Sequence, residues 1–152
     1  MIQLAENVFA TKNDPDQLDV DDGVIERLLR IHPSTVMEKD DGNGPVAWVL
    51  VIPTTKELMN QFLDQQISEK ELFDLTPTDV NYEALYLCSA LVLEEYRRIG
   101  IAKILALKAI ENVRKDHPIQ ALFVWAFSTE GYQAAEAIAN SASLPLLHRT
   151  KL

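Results

Sequence analysis

EALYLCSALVLEEYRRIGIAKIL, residues Glu83 to Leu105, sets an unbroken apolar run directly against a helical repeat. The run up to Leu93 is too continuous for a strand with one wet face, so it reads as the centre of a sheet. Strand alternation puts Tyr86, Cys88, Ala90 and Val92 on one face and Leu85, Leu87, Ser89, Leu91 and Leu93 on the other. Helical spacing then extends from Gly100 to about Lys115, with Glu111 and Lys115 one i,i+4 step apart, and His117-Pro118 closes it. Between strand and helix, Arg97, Gly100 and Ala102 form R-x-x-G-x-A. A strand that turns tightly into a helix leaves the first N–H groups of the helix unpaired, and together with the positive end of the macrodipole these make an anion site. Gly100 lets the backbone approach a phosphate, Ala102 keeps the first turn slim, and Arg97 and Arg98 add positive charge.

Working downstream, QALFVWAF (Gln120 to Phe127) reads as a second buried strand, Ser128 as the cap of a helix through about Asn140, and LPLLHRT as a last short strand. Upstream, VIERLLRI (Val24 to Ile31) has helical spacing that His32-Pro33 stops. STVMEKD and PVAWVLVIPT make a β-hairpin around Asp41-Gly42-Asn43-Gly44, residues that tolerate positive φ. From Thr55 to Leu75 the apolar residues recur at three- and four-residue intervals, which predicts one or two amphipathic helices ended by Pro77. The order α, β, β, α, β, α, β, α, β predicts an α/β fold (α+β by some schemes), a mixed central sheet flanked by helices.

The chain has 152 residues, the size of one domain, and a net charge of −9. Long basic stripes are missing, so nucleic acid is not an expected partner. No run of about 18 apolar residues could span a bilayer, and the amino terminus carries no export signal. The single cysteine, Cys88, suits a reducing compartment, and the expected location is cytoplasmic. Cys88 itself reads as a small core hydrophobe, and His32, His117 and His148 have no metal-ligand spacing. The sequence does not name an oligomeric state.

Ahead of the glycine turn the chain reads V-L-E-E-Y-R, Val92 to Arg97. With R-x-x-G-x-A behind a buried strand, this segment resembles the acetyl-coenzyme A motif of the GNAT superfamily of N-acetyltransferases. That motif is written Q/R-x-x-G-x-G/A and is commonly preceded by V-x-P-E-Y-R; Glu94 stands here where proline is usual. The resemblance covers roughly residues 33–149 and implies one GNAT-like domain over 1–152, with acetyl-coenzyme A as acyl donor. It implies that Leu91, Val92 and Leu93 offer backbone groups to the pantetheine arm. The N–H groups of Arg97, Arg98, Ile99, Gly100, Ile101, Ala102 and Lys103 would cradle the pyrophosphate.

The activity so implied is transfer of an acetyl group to a primary amine, on a small molecule or a peptide, by direct attack. Some members carry a glutamate base about where Tyr86 stands. Tyrosine is a poor base at its ordinary pKa of about 10, and a packed aromatic with a satisfied hydroxyl is the plainer reading. Glu83 is the nearest carboxylate in sequence and could act through water. The family's helix tyrosine, in a pattern like N-x-x-A-x-x-L-Y, is missing from STEGYQAAEAIANSAS, where Tyr132 is the phenol available to protonate the leaving thiolate. The alternative is a non-catalytic acyl-coenzyme A-binding or protein-interaction module with this fold.

Charge is uneven along the chain. Residues 1–80 hold six Lys and Arg against sixteen Asp and Glu, whereas residues 81–152 hold eight against seven. In the family the amino-terminal helices wall the acceptor side, so Glu26, Glu57, Asp64, Glu69 and Glu71 would give it a negative field, and a cationic amine is the expected acceptor.

Overall fold

A computed structural model describes residues 5–7, 22–40, 42, 45–78, 80–93, 100–125 and 129–149, the side chains of residues 5–7, 22, 45, 89, 91–93 and 130 excepted. The elements are β1 (Ala5–Asn7), α1 (Asp22–Ile31), a 3-10 turn (Pro33–Thr35), β2 (Val36–Asp40), β3 (Pro45–Thr54), α2 (Lys56–Leu63), α3 (Glu69–Leu75), β4 (Ala84–Leu93), α4 (Ile101–Asp116), β5 (Ala121–Val124), α5 (Thr129–Ala142) and β6 (Leu146–His148). This is a mixed α/β architecture. The segment Thr55 to Leu75 forms two helices because two caps interrupt it. Thr55 accepts from the Leu58 N–H at 3.2 Å, and Ser68 and Glu71 close a reciprocal capping box. Between them Gln65 turns to φ 63°, which ends the first helical segment.

The sheet order is β2-β3-β4-β5-β6, antiparallel as far as β4 and parallel from β4 to β6. The predicted hairpin is β2 and β3, locked where Glu38 faces Trp48 and accepts its indole N–H at 2.6 Å. Asp41, Asn43 and Gly44 of its turn lie outside the described residues. So do residues 126–128, and with them the predicted Ser128 cap and the expected end of β5. The three-residue β1 was not expected from the sequence; it pairs with β4 at Leu91–Leu93.

Strand alternation in β4 departs from expectation. Leu50 of β3 pairs with Ser89 and Val51 with Leu87, so Cys88 is an extra residue, a β-bulge. Beyond it the phase reverses. Ala90 falls on the face of Leu85 and Leu87, opposite Tyr86 and Cys88 rather than beside them.

Two cores cover the two faces. One joins Leu85, Leu87 and Ala90 to α4 (Leu105, Ala106, Ala109, Ile110, Val113) and α5 (Ala135, Ile138, Ala139). The other joins Ala84, Tyr86 and Cys88 to α2 (Met59, Phe62) and α3 (Leu72, Phe73), with Leu28 of α1. Removing one of the Leu, Ile, Val, Phe or Met side chains from water contributes about 1.5–3 kcal/mol, so both faces hold the sheet in place. Among the described residues no helix is long and apolar enough to cross a membrane.

The end of α4 is tied to α1 through His32. Its Nδ1 accepts the Ser34 N–H at 3.0 Å, which leaves Nε2 to donate to Asp116 at 2.7 Å. His117 packs its ring on Tyr82 at 4.6 Å and edge-on to His32 at 5.8 Å. Burial, then the neighbouring His32, lower the His117 pKa, and Asp116 opposes them. A folded-state pKa below the unfolded 6.5 means that the unfolded chain binds more protons between the two values. This contribution is therefore complete above about pH 6.5 and is lost as pH falls through the folded pKa. In urea unfolding at pH 7 and pH 5, His117→Gln should show a smaller loss of stability on acidification than the wild type. An equal loss in both would refute the assignment.

Candidate functional site

β4 changes partners at Cys88. On one edge the bulge interrupts its ladder with β3; on the other, parallel pairing with β5 ends at Leu87 and Val124. β4 nevertheless runs on to Leu93, so among the described residues the two parallel strands part at this point. Bulges re-aim backbone groups and concentrate at the edges of functional sites. Beyond β4 the chain reaches Gly100, the N-cap of α4, in the left-handed conformation at φ 77° and ψ 16°. Among the described residues, nothing lies within 4 Å of a Cβ built there. Among the described residues no side chain caps α4, and no acid stands in its first turn, so the N–H groups at Ile101, Ala102 and Lys103 keep their electrostatic pull toward an anion. Ile101 and Ala102 are half-buried, Lys103 is exposed, and Ile104 is 61% exposed beside them. Arg97, Arg98 and Ile99 lie outside the described residues, as do the side chains of Leu91, Val92 and Leu93.

Beneath the bulge lies a polar cluster inside an apolar face. Glu69, the first residue of α3, is 3% exposed, and the Tyr86 hydroxyl donates to its Oε2 at 2.5 Å. Phe62 and Phe123 flank the Tyr86 ring at 5.0 and 4.9 Å. Past the end of β5, Trp125 forms the floor for the Arg149 guanidinium at 4.3 Å, with Phe62 against it at 4.6 Å. Arg149 also donates through Nη1 to the Ile67 carbonyl at 3.2 Å, while its backbone N–H reaches Val124 at 2.9 Å. The C-terminal segment is thus stapled across the end of β5 and onto the loop before α3.

Burial drives the Tyr86 pKa well up, and the charge of Glu69 adds to it, followed by Cys88 and the hydrogen bond; Arg149 acts against them. A phenol so placed stays protonated and is a donor to Glu69, which is the packed, satisfied aromatic among the sequence readings. The Cys88 thiol is raised first by burial and then by Glu69. It remains a thiol, with no nucleophilic character at neutral pH. Because the Glu69 charge acts on both groups, its carboxylate belongs to the surroundings of the bulge.

The three sequence candidates for catalysis do not converge. Glu83 precedes β4, its N–H bonded to Thr54 and its carbonyl to Gln120. It stands a whole strand, roughly 30 Å, from the end of β4 that leads to Gly100. From the bulge at Cys88 it is five residues back, roughly 15 Å, further than a side chain with one bridging water reaches. Tyr132, in the first turn of α5, is half-buried with its ring edge-on to His148 at 5.1 Å. It packs on the α4–α5 face, opposite Tyr86, and the two phenols could meet one ligand only through the gap where β4 and β5 part.

Of the acidic residues expected to face the acceptor, Glu57 and Asp64 are exposed, Glu26 faces Arg30 at 3.8 Å, Glu71 serves the capping box, and Glu69 is inside. The sequence held a signal for Glu69. S-x-x-E at Ser68 marks a helix start, and Glu69, Leu72 and Phe73 then share one face at i, i+3 and i+4. Nothing comparable announced Arg149 or the bulge. No protein-family model, no curated protein and no solved structure matches the chain.

Proposed function

We propose that this chain is a GNAT-type N-acyltransferase that takes an acyl group from acetyl-coenzyme A and delivers it to a cationic primary amine. The observation that carries the reading is the coincidence at Cys88. Among the described residues the β3 ladder bulges and β5 parts from β4 at the same residue, and α4 starts on a left-handed glycine with no side-chain cap. The open space at Gly100 and the absence of an acid in the first turn of α4 fit a diphosphate. Ile101, Ala102 and Lys103 would hold it through backbone N–H groups, and the exposed Ile104 supplies apolar surface next to it. The donor, when bound, supplies a thioester whose carbonyl carbon the amine nitrogen attacks, with the C–S bond breaking and coenzyme A leaving as the thiol.

For that attack the chain must orient the amine and accept its proton. Backbone N–H groups re-aimed at the bulge are suited to polarise a carbonyl oxygen. The carboxylate for the proton is Glu69, oriented by Tyr86, in place of Tyr86 itself or Glu83. Tyr132 is the phenol on the opposite face that could return a proton to the thiolate. Cys88 takes no covalent part, so acyl transfer is direct.

Calorimetric titration with acetyl-coenzyme A tests the donor, and release of free thiol with a panel of amines tests transfer. No binding at millimolar donor would end this proposal. Binding without turnover of any amine would favour the acyl-coenzyme A-binding module, which the sequestered Tyr86–Glu69 pair also supports. If Glu69 accepts the proton, Glu69→Gln lowers kcat by about 100-fold and flattens the acid limb of the pH–rate profile. Tyr86→Phe, which removes the phenol's hydrogen bond to the carboxylate, should change kcat less and shift that limb. Unchanged kcat in Glu69→Gln would remove the assignment.

A further inference from the structure

A strand has two edges, and Val92 uses both: it pairs with Ala47 of β3 and with Glu6 of β1. β1 therefore lies on the edge opposite β3, the one that β5 occupies at 84–87. Along this edge β5 stops at Leu87 and β1 begins at Leu91, running antiparallel with Ala5 against Leu93 and Asn7 against Leu91. Between them residues 88–90 have no strand partner on that edge among the described residues, a gap of roughly 10 Å. By the resemblance, the backbone groups of Leu91–Leu93 are those that the extended, amide-bearing arm of the acyl donor would take. They cannot serve β1 and such an arm together.

We propose that β1 is an intramolecular strap that occupies the acyl-donor groove and must leave before the donor can bind; this rests on the acyl-coenzyme A reading of the β4 edge. A three-residue strand suits the task, since so short a pairing is marginal by itself and can be displaced. The cost to the donor follows from population: a strap closed about nine-tenths of the time weakens the apparent affinity about tenfold. Binding and strap release are then one equilibrium, and anything that captures the amino-terminal segment activates the protein.

The test uses the full chain with Glu6→Pro and Asn7→Pro together. Consecutive strand residues aim their N–H groups to opposite sides, so the pair removes a ladder donor whichever of the two faces β4. The proline variant is expected to bind acetyl-coenzyme A about tenfold more tightly than wild type, with faster amide exchange at residues 91–93 in the free protein. Glu6→Ala with Asn7→Ala keeps the backbone donors and should bind as wild type does. Equal affinity of the proline variant and wild type overturns the strap while leaving the donor reading intact. Weaker binding makes β1 part of the site and overturns the strap as well. No binding by any of the three proteins removes the donor reading, and the strap with it. Should the proline variant fail to fold, wild type alone decides. Amide protection at residues 5–7 must fall as acetyl-coenzyme A saturates, and unchanged protection overturns the proposal.

Discussion

The Gly100→Trp variant is expected to lose acetyl-coenzyme A affinity by about 100-fold or more while the chain stays folded. The left-handed conformation at φ 77° costs a side-chain-bearing residue about 1–2 kcal/mol, against a total stability of about 5–15 kcal/mol for an ordinary domain. Among the described residues nothing lies within 4 Å of an added Cβ, so Gly100→Ala adds no clash to that cost. The indole instead fills the space in front of the first N–H groups of α4. Gly100→Ala separates the two effects, because it carries the same backbone strain without the bulk. Calorimetry should give Gly100→Ala an affinity within a few-fold of wild type, and urea unfolding should give both variants a similar loss of stability. Gly100→Trp binding as tightly as Gly100→Ala would mean that the donor does not use this helix start.

That the glycine could be singled out from sequence, and the bulge could not, has a physical cause. A glycine between a buried strand and an amphipathic helix is a junction, and junctions are marked by changes of period. Within β4 there is no period to read. Ala84, Tyr86 and Cys88 are buried on one face and Leu85, Leu87 and Ala90 on the other, so apolar residues occupy both phases and a one-residue slip leaves the pattern unchanged. The expected face for Ala90 was wrong for that reason. β1 escaped because three residues carry no alternation.

The candidate site was legible in proportion to its dependence on local chain. The helix start at α4 follows from Gly100 and its neighbours. The base does not, since Glu69 meets Tyr86 only when α3 folds onto β4, seventeen residues away. Sequence proximity favoured Glu83 over Glu69, and strand geometry reverses that preference by sending Glu83 to the far end of the sheet. Arg149 is further still: it meets Phe62 and Trp125 only because β6 pairs beside β5 and delivers the following residue across the end of that strand.

Phe62→Ala is expected to destabilise the fold by about 3–5 kcal/mol, lowering Tm by roughly 10 °C. The ring is fully buried and meets Tyr86, Phe123 and Trp125 edge to face at 5.0, 5.9 and 5.9 Å. Its neighbours come from β4, β5 and the segment after β5, which the sheet holds apart, so they cannot collapse into the space left behind. Phe62 also covers the Arg149 guanidinium, and losing that cover removes a desolvated cation–π contact of about 2 kcal/mol. Phe62→Leu tells packing from stacking: it retains most of the apolar volume but offers no ring. A cavity-dominated loss predicts that Leu recovers most of the stability; a stacking-dominated loss predicts that Leu is nearly as unstable as Ala. Arg149→Met supplies the other arm of a double-mutant cycle in urea. Since the two side chains touch, their effects should miss additivity by about 0.5–3 kcal/mol. Additivity within about 0.3 kcal/mol would show that Arg149 is held independently of Phe62, leaving Phe62 to act on the sheet without it.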